Sequence, residues 1–171
     1  MIATFDDRVN RPASDPNAWH DPLWRINNLY FQINKDGERF QFRMREGMWL
    51  YLFNRHYRNL ILKARQYGFT TSIGLLYLDE AIFIQNHKVG FVAHTMDAAE
   101  AIFRDKIIYA WDHLGDLGED HPERNEMLDK ALAIKEAVGV KKQNTQEIIF
   151  GQDSYFRVGT SFRSGRYIRG L

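Results

Sequence analysis

The sequence predicts an α/β fold, and three observations carry that expectation. Asn59-Leu-Ile-Leu-Lys-Ala64 is a short apolar run of the kind that fits a strand buried in a parallel sheet. From Thr70 to about residue 84 the chain has helical amphipathicity, and Val89-Gly-Phe-Val-Ala93 is a second buried-strand run. A helix from about 96 to 112 follows, with Asp97 and Glu100 in its first turn, where the helix dipole favours acids. Strand, loop, helix, strand, helix is the order of a parallel-sheet α/β protein.

The remaining elements frame this unit. Residues 1–22 are polar and carry Pro12, Pro16 and Pro22, which reads as an extended or loosely packed N-terminal arm. The alternative is an arm that clasps the domain through Trp19 and Trp24. Residues 23–171 then form one domain, a size that 171 residues suit. Leu29-Tyr-Phe-Gln-Ile33 and Arg39-Phe-Gln-Phe-Arg43 alternate around the turn Lys35-Asp-Gly37, predicting a β-hairpin. A helix over 46–57 places Met48, Leu52 and Phe53 on one face. Residues 115–121 read as an exposed loop. A helix over 122–138 follows, with Pro122 in its first turn and Gly139 as its C-cap. Glu147–Phe150 and Tyr155–Val158 flank Gly151-Gln-Asp-Ser154 as a second hairpin, and a basic, glycine-interrupted tail ends the chain.

Composition excludes several classes. Hydrophobic residues make up 44% and charged residues 26%, ordinary values for a globular protein with a real core. Lys and Arg total 23 against 22 Asp and Glu, so no global basic excess announces a nucleic-acid binder, and any DNA contact needs a local patch. There are no cysteines, which rules out a disulfide scaffold and cysteine zinc sites and fits a reducing cytoplasm. No signal peptide and no stretch of roughly 18 apolar residues is found, so no membrane span is expected.

The chemistry centres on Lys63-Ala-Arg-Gln-Tyr-Gly-Phe-Thr-Thr71. A phosphate loop needs a strand to aim it, a glycine where backbone N–H groups close on the phosphates, and a hydroxyl opening the next helix to reach Mg²⁺. Residues 59–64, Gly68 and Thr70 supply these three. The standard spacing of Gly, four residues, then Gly-Lys-Ser/Thr is not met, because Lys63 stands at the first glycine and Phe69 at the lysine. On the residues alone, a strand-to-helix turn with a permissive glycine is an equal reading.

The stretch from Asn59 to Thr71 resembles the deviant Walker A segment of the large terminase subunits of tailed bacteriophages. That segment runs hydrophobic strand, basic residue, Arg-Gln, hydrophobic residue, Gly, variable residue, and two Thr or Ser. Val89 to Phe103 resembles the strand and helix that follow the loop in the family. Glu147 to Gly165 resembles the hairpin and Gly-Thr-Ser-x-Arg segment upstream of its Walker B strand. The resemblance spans roughly residues 24–171. It implies a P-loop NTPase core with a partly built parallel sheet behind an N-terminal hairpin and helix, with ATP and Mg²⁺ as ligands. Lys63 would contact the β- or γ-phosphate, and Arg65 would be the catalytic residue that stabilises γ-phosphate charge. Ala64, Gln66, Gly68, Phe69 and Thr71 would complete the wrap around the phosphates, and Thr70 would hold Mg²⁺. The implied partners are double-stranded DNA, the portal protein and the small terminase subunit, in the cytoplasm of an infected bacterium.

Two departures accompany the resemblance. The glutamine that reads adenine in the family falls at Met48, which packs on a base without reading its hydrogen-bond pattern. The Walker B strand and the nuclease domain would lie beyond Leu171, so the chain by itself is expected to hydrolyse ATP poorly or not at all, and an incomplete sheet favours a homo-oligomer. Gly74-Leu-Leu-Tyr-Leu-Asp79-Glu80 imitates a Walker B but lies inside the helix after the loop, so Asp79 and Glu80 read as a solvated helix face. No histidine pair has metal spacing with a third ligand nearby, and His94 reads as a strand-end residue. Arg157, Arg163, Arg166 and Arg169 make the tail basic, suited either to DNA phosphates or to missing chain.

Overall fold

The computed structural model describes residues 4–34, 36–62 and 68–160. Its elements run α1 (Phe5–Val9), α2 (Pro16–His20), α3 (Pro22–Asn28), β1 (Phe31–Ile33), β2 (Arg39–Gln41), α4 (Glu46–Asn54), α5 (Phe69–Phe83), β3 (Lys88–Ala93), α6 (Met96–Ile102), a π-helical turn (Phe103–Ile108), α7 (Tyr109–Asp112), α8 (Arg124–Val138), β4 (Val140–Gln143), β5 (Glu147–Phe150) and β6 (Tyr155–Thr160). The fold is mixed α/β, as the order of elements predicts. Among the described residues, no helix is long and apolar enough to cross a membrane.

The sheet has the order β3-β6-β5-β4. β3 and β6 pair in parallel from Lys88 opposite Tyr155 to Ala93 opposite Thr160. The β5–β6 hairpin is antiparallel, as expected from its alternation, and β4 extends it. Only one parallel pair is therefore built among the described residues. β3 is an edge strand in which Val89 alone is buried, so the expectation of a strand covered on both faces fails there. The other predicted core strand fails outright over its described part. Residues 59–62 belong to no strand, and Leu60 and Leu62 are 88% and 92% exposed. Apolar character alone does not make a strand; each backbone N–H and C=O needs a ladder partner.

The N-terminal arm is helical and packed rather than loose. Asp15 caps α2 and Asp21 caps α3, each followed by proline at the first helical position. A carboxylate accepting from early backbone N–H groups, with proline preset for the first turn, starts even short helices. The indole N–H of Trp24 donates to Arg11 O (2.9 Å) and clasps the arm onto the domain, while that of Trp19 donates to Ala13 O (2.8 Å) within the arm and its ring packs on Trp24. The predicted β1–β2 hairpin forms and is antiparallel, with Gln32 opposite Phe40. α4 buries Met48, while Phe53 stays exposed.

α5 is the centre of the core. Leu75, Leu76, Leu78 and Ile82 are buried, and Gly74 lets Ile107 approach to 3.0 Å of where a Cβ would sit. A helix apolar on every side must be surrounded. Asp79 and Glu80 are accordingly not a solvated face, and both are buried. Arg25 donates to both Asp79 oxygens (3.0 and 2.7 Å), and the Tyr30 hydroxyl adds a third bond (2.9 Å). Glu80 pairs with Arg55 (2.5 Å) and faces His87 (3.2 Å). The helical run from Met96 to Asp112 is continuous but passes through the π-helical turn. Pro122 precedes α8, whose N-cap is Glu123, and Gly139 caps its C-terminus at φ 61°. Leu117 is buried, so 115–121 is only partly an exposed loop.

Candidate functional site

The predicted loop splits at its glycine. Lys63, Ala64, Arg65 and Gln66 lie outside the described residues, as does Arg163 in the tail. Gly68, Phe69, Thr70 and Thr71 are described, and they form the start of α5. Gly68 is the N-cap residue, with φ 81° and ψ 2°. That left-handed conformation suits glycine, since a side chain there crowds its own backbone. Space points the same way, because an added Cβ would lie 2.9 Å from Cε of Met48. Ser72 N–H donates to Gly68 O (3.0 Å), closing the first helical turn. The N–H groups of a first turn have no intrahelical acceptor, and the dipole of a 15-residue helix adds positive potential there.

Phe69 turns its ring into the core, so any role at phosphates would be through its backbone. Thr70 is exposed, whereas Thr71 is half-buried and lines a cavity of about 150 Å³. This cavity lies between Gly68, the hairpin and α4. Its apolar walls are Phe40, Phe42 and Met48, and its charged lining is Arg43, Arg45 and Lys106. Three cations and no carboxylate among the lining residues favour an anionic ligand. Partial desolvation lowers the Arg43 guanidinium from its ordinary value without bringing it near neutrality. The cavity is smaller than the roughly 300–1,000 Å³ of whole small-molecule sites. Its volume suits a fragment-sized group.

Gln32 is the functional candidate that sequence reasoning missed. It lies on β1 with 1% of its surface exposed and lines the same cavity. Its Nε2 donates to Phe31 O (2.9 Å) and to Lys106 O (3.1 Å) on the π-helical turn. Two carbonyl partners fix the amide orientation, because only the NH₂ end can donate to both. Oε1 is then a buried atom without a hydrogen-bond partner among the described residues. Buried acceptors are nearly always satisfied, so this orphan beside the cavity calls for a small donor, a water or a ligand group. The one available signal was a glutamine amid Leu29-Tyr-Phe-x-Ile33, a polar residue inside a run otherwise apolar.

Met48, where the resemblance expected the adenine-reading glutamine, is instead the apolar wall beneath Gly68. Among the described residues, no group of three His, Asp or Glu side chains is placed to hold a metal ion. His94 is exposed at the end of β3. Arg157 is held by Glu147 on the neighbouring strand, a structural pair rather than a site. No protein-family model matches the chain, and no curated protein matches it.

Proposed function

We propose that this chain is the nucleotide-binding part of a P-loop ATPase of the terminase type, which couples ATP hydrolysis to moving double-stranded DNA into a capsid. The observation that carries the nucleotide reading is the cavity that Gly68 and Thr71 share with Arg43, Arg45 and Lys106, lined also by Gln32, whose Oε1 has no hydrogen-bond partner among the described residues. An adenine fits this chemistry. Its exocyclic amino group donates to Oε1, its faces rest on Phe40, Phe42 and Met48, and the cations and α5 amides meet the phosphates. In this reading Lys63 would contact the β- or γ-phosphate, Arg65 would stabilise charge on the γ-phosphate, and Thr70 would hold Mg²⁺. The portal protein and small terminase subunit remain the partners this reading carries, in an infected bacterial cytoplasm.

A second reading is nucleotide binding without turnover. Two features favour it: residues 59–62 build no strand behind the loop, and no carboxylate lines the cavity to hold Mg²⁺ or activate water. The deciding experiment is a thermal-shift titration with Mg²⁺ and a non-hydrolysable ATP analogue, alongside phosphate release from ATP. A ligand that binds only the folded state must raise the melting temperature. The proposal expects a rise in the wild type that Lys63→Ala and Arg65→Ala abolish. Saturating ligand with no rise removes both readings. A rise accompanied by Mg²⁺-dependent phosphate release removes the second.

A further inference from the structure

A second cavity, of about 250 Å³, opens where four stretches of chain meet: the turn after α1, the end of α3, the residues that follow β2, and the loop leading into α8. It is smaller than the roughly 300–1,000 Å³ of sites for drug-sized molecules. Its lining carries charge of both signs, because Arg43 and Glu123 share it.

Neither charge is answered by a neighbour. Arg43 donates to Gln41 Oε1 (3.1 Å) and, among the described residues, pairs with no carboxylate. Glu123 accepts from Ala13 N–H (3.0 Å) through Oε1 and, among the same residues, pairs with no cation. Arg11 lines the cavity too, but it stands between Asp15 (3.9 Å) and Asp21 (3.8 Å), so its charge is already met. Two neutral groups add directionality. Asn28 is 8% exposed and lines the cavity. Its Nδ2 donates to Val9 O (2.9 Å) and Trp24 O (2.8 Å), which fixes the amide and leaves Oδ1 as an acceptor. Nδ1 of His121 accepts from Glu123 N–H (3.2 Å), so in the neutral ring the proton sits on Nε2 as a donor.

We infer that this cavity binds a small zwitterion, a molecule with a protonated amine at one end and a carboxylate or phosphate at the other. The amine donates to the remaining Oε2 of Glu123 and to Oδ1 of Asn28. The anionic end accepts from Arg43 and from Nε2–H of His121. A zwitterion meets both charges with charge-assisted hydrogen bonds. An anion alone meets Glu123 as a like charge, and an amine alone meets Arg43 as one. Arg43 also lines the cavity beside Gly68, but zwitterion binding stands or falls with no nucleotide present.

The test is isothermal titration of the full chain, without nucleotide, against four probes. 4-Aminobutanoate and phosphoethanolamine carry both charges, and butanoate and propylamine carry one each. At least one zwitterion is expected to bind about tenfold or more tightly than either singly charged probe, since its second end adds a charge-assisted bond. The tighter of the two identifies the anionic end as carboxylate or phosphate. Glu123→Gln keeps the acceptor for Ala13 N–H and removes only the charge. It should weaken that zwitterion about tenfold and leave butanoate no weaker. Arg43→Gln should weaken the zwitterion to a similar degree and leave propylamine no weaker. Zwitterions that bind no more tightly than the singly charged probes, or not at all, overturn the proposal. So does zwitterion binding that either variant leaves untouched.

Discussion

Arg25 on α3 and Asp79 on α5 lie 54 residues apart in sequence and meet in the core at 2.7 Å, both buried. The pair ties α3 to the central helix. Burial pushes the Asp79 carboxyl up, and the bonds from Arg25 and Tyr30 pull it back. Burial works to lower Arg25, but the hydrogen bonds and charge of Asp79 outweigh it and hold the guanidinium above its ordinary value. A guanidinium does not give up its proton in a protein, and three bonds converge on the carboxylate, so the pair stands ionised.

The first prediction follows from that pairing. Asp79→Asn leaves a buried guanidinium without its counter-charge and should destabilise the fold by about 3–5 kcal/mol. Tyr30→Phe removes only one hydrogen bond to the same carboxylate, at about 1–2 kcal/mol. Urea denaturation followed by circular dichroism ranks the two. Equal losses would mean that charge is not what Asp79 contributes.

Gly68 supports a second prediction. Gly68→Ala places a side chain at φ 81° and against Met48, so about 1–2 kcal/mol of stability should be lost. Met48→Ala in the same chain removes the contact but not the backbone strain. The double variant should therefore lose less than the sum of the two single losses, and strict additivity in a double-mutant cycle would contradict the contact.

These residues also show what the sequence makes legible. Local rules gave the hairpins, because alternation and turn residues lie within a few positions of each other. Two local signals were there to be used and point to helices: Asp15-Pro16 and Asp21-Pro22 are each a capping carboxylate followed by a first-turn proline. The errors are non-local. Nothing near Asp79 announces Arg25, so an acidic pair on a helix reads as solvated when it is core. Nothing within Asn59-Leu-Ile-Leu62 tells whether a neighbouring strand exists to accept its hydrogen bonds. The candidate site divides the same way: Gly68 and Thr71 follow from their motif, while Gln32 becomes visible only when β1 packs against the π-helical turn.

A third prediction concerns acid. Glu147 accepts from Lys142 (2.6 Å) and Arg157 (2.8 Å), and these bonds hold its carboxyl below the ordinary value of 4.5. A group whose folded-state pKa is depressed adds stability that is present above its unfolded value and lost as pH falls through the folded one. The melting temperature should therefore drop as pH is lowered from about 4.5. Glu147→Gln should melt lower at neutral pH and show a shallower decline in that acid window. Parallel curves for the two proteins would place the acid sensitivity elsewhere.

The last prediction isolates Oε1 of Gln32. Its acceptor lone pairs suit a base bearing an exocyclic amino group, such as adenine, and oppose the carbonyl that guanine presents at the same edge. Leaving a buried polar atom facing another acceptor costs about 1–3 kcal/mol, so the wild type should prefer the ATP analogue over the GTP analogue by roughly tenfold or more. Gln32→Leu removes the acceptor, and with it the Nε2 bonds to Phe31 O and Lys106 O, so the protein will also be less stable. The ratio of the two affinities cancels that loss, because both ligands bind the same weakened fold. It should fall close to one in the variant while both nucleotides still bind through Arg43, Arg45 and Lys106. Isothermal titration with each analogue reads the ratio directly. A preference that survives Gln32→Leu would mean that the base is read by another group, and that the free Oε1 serves packing alone.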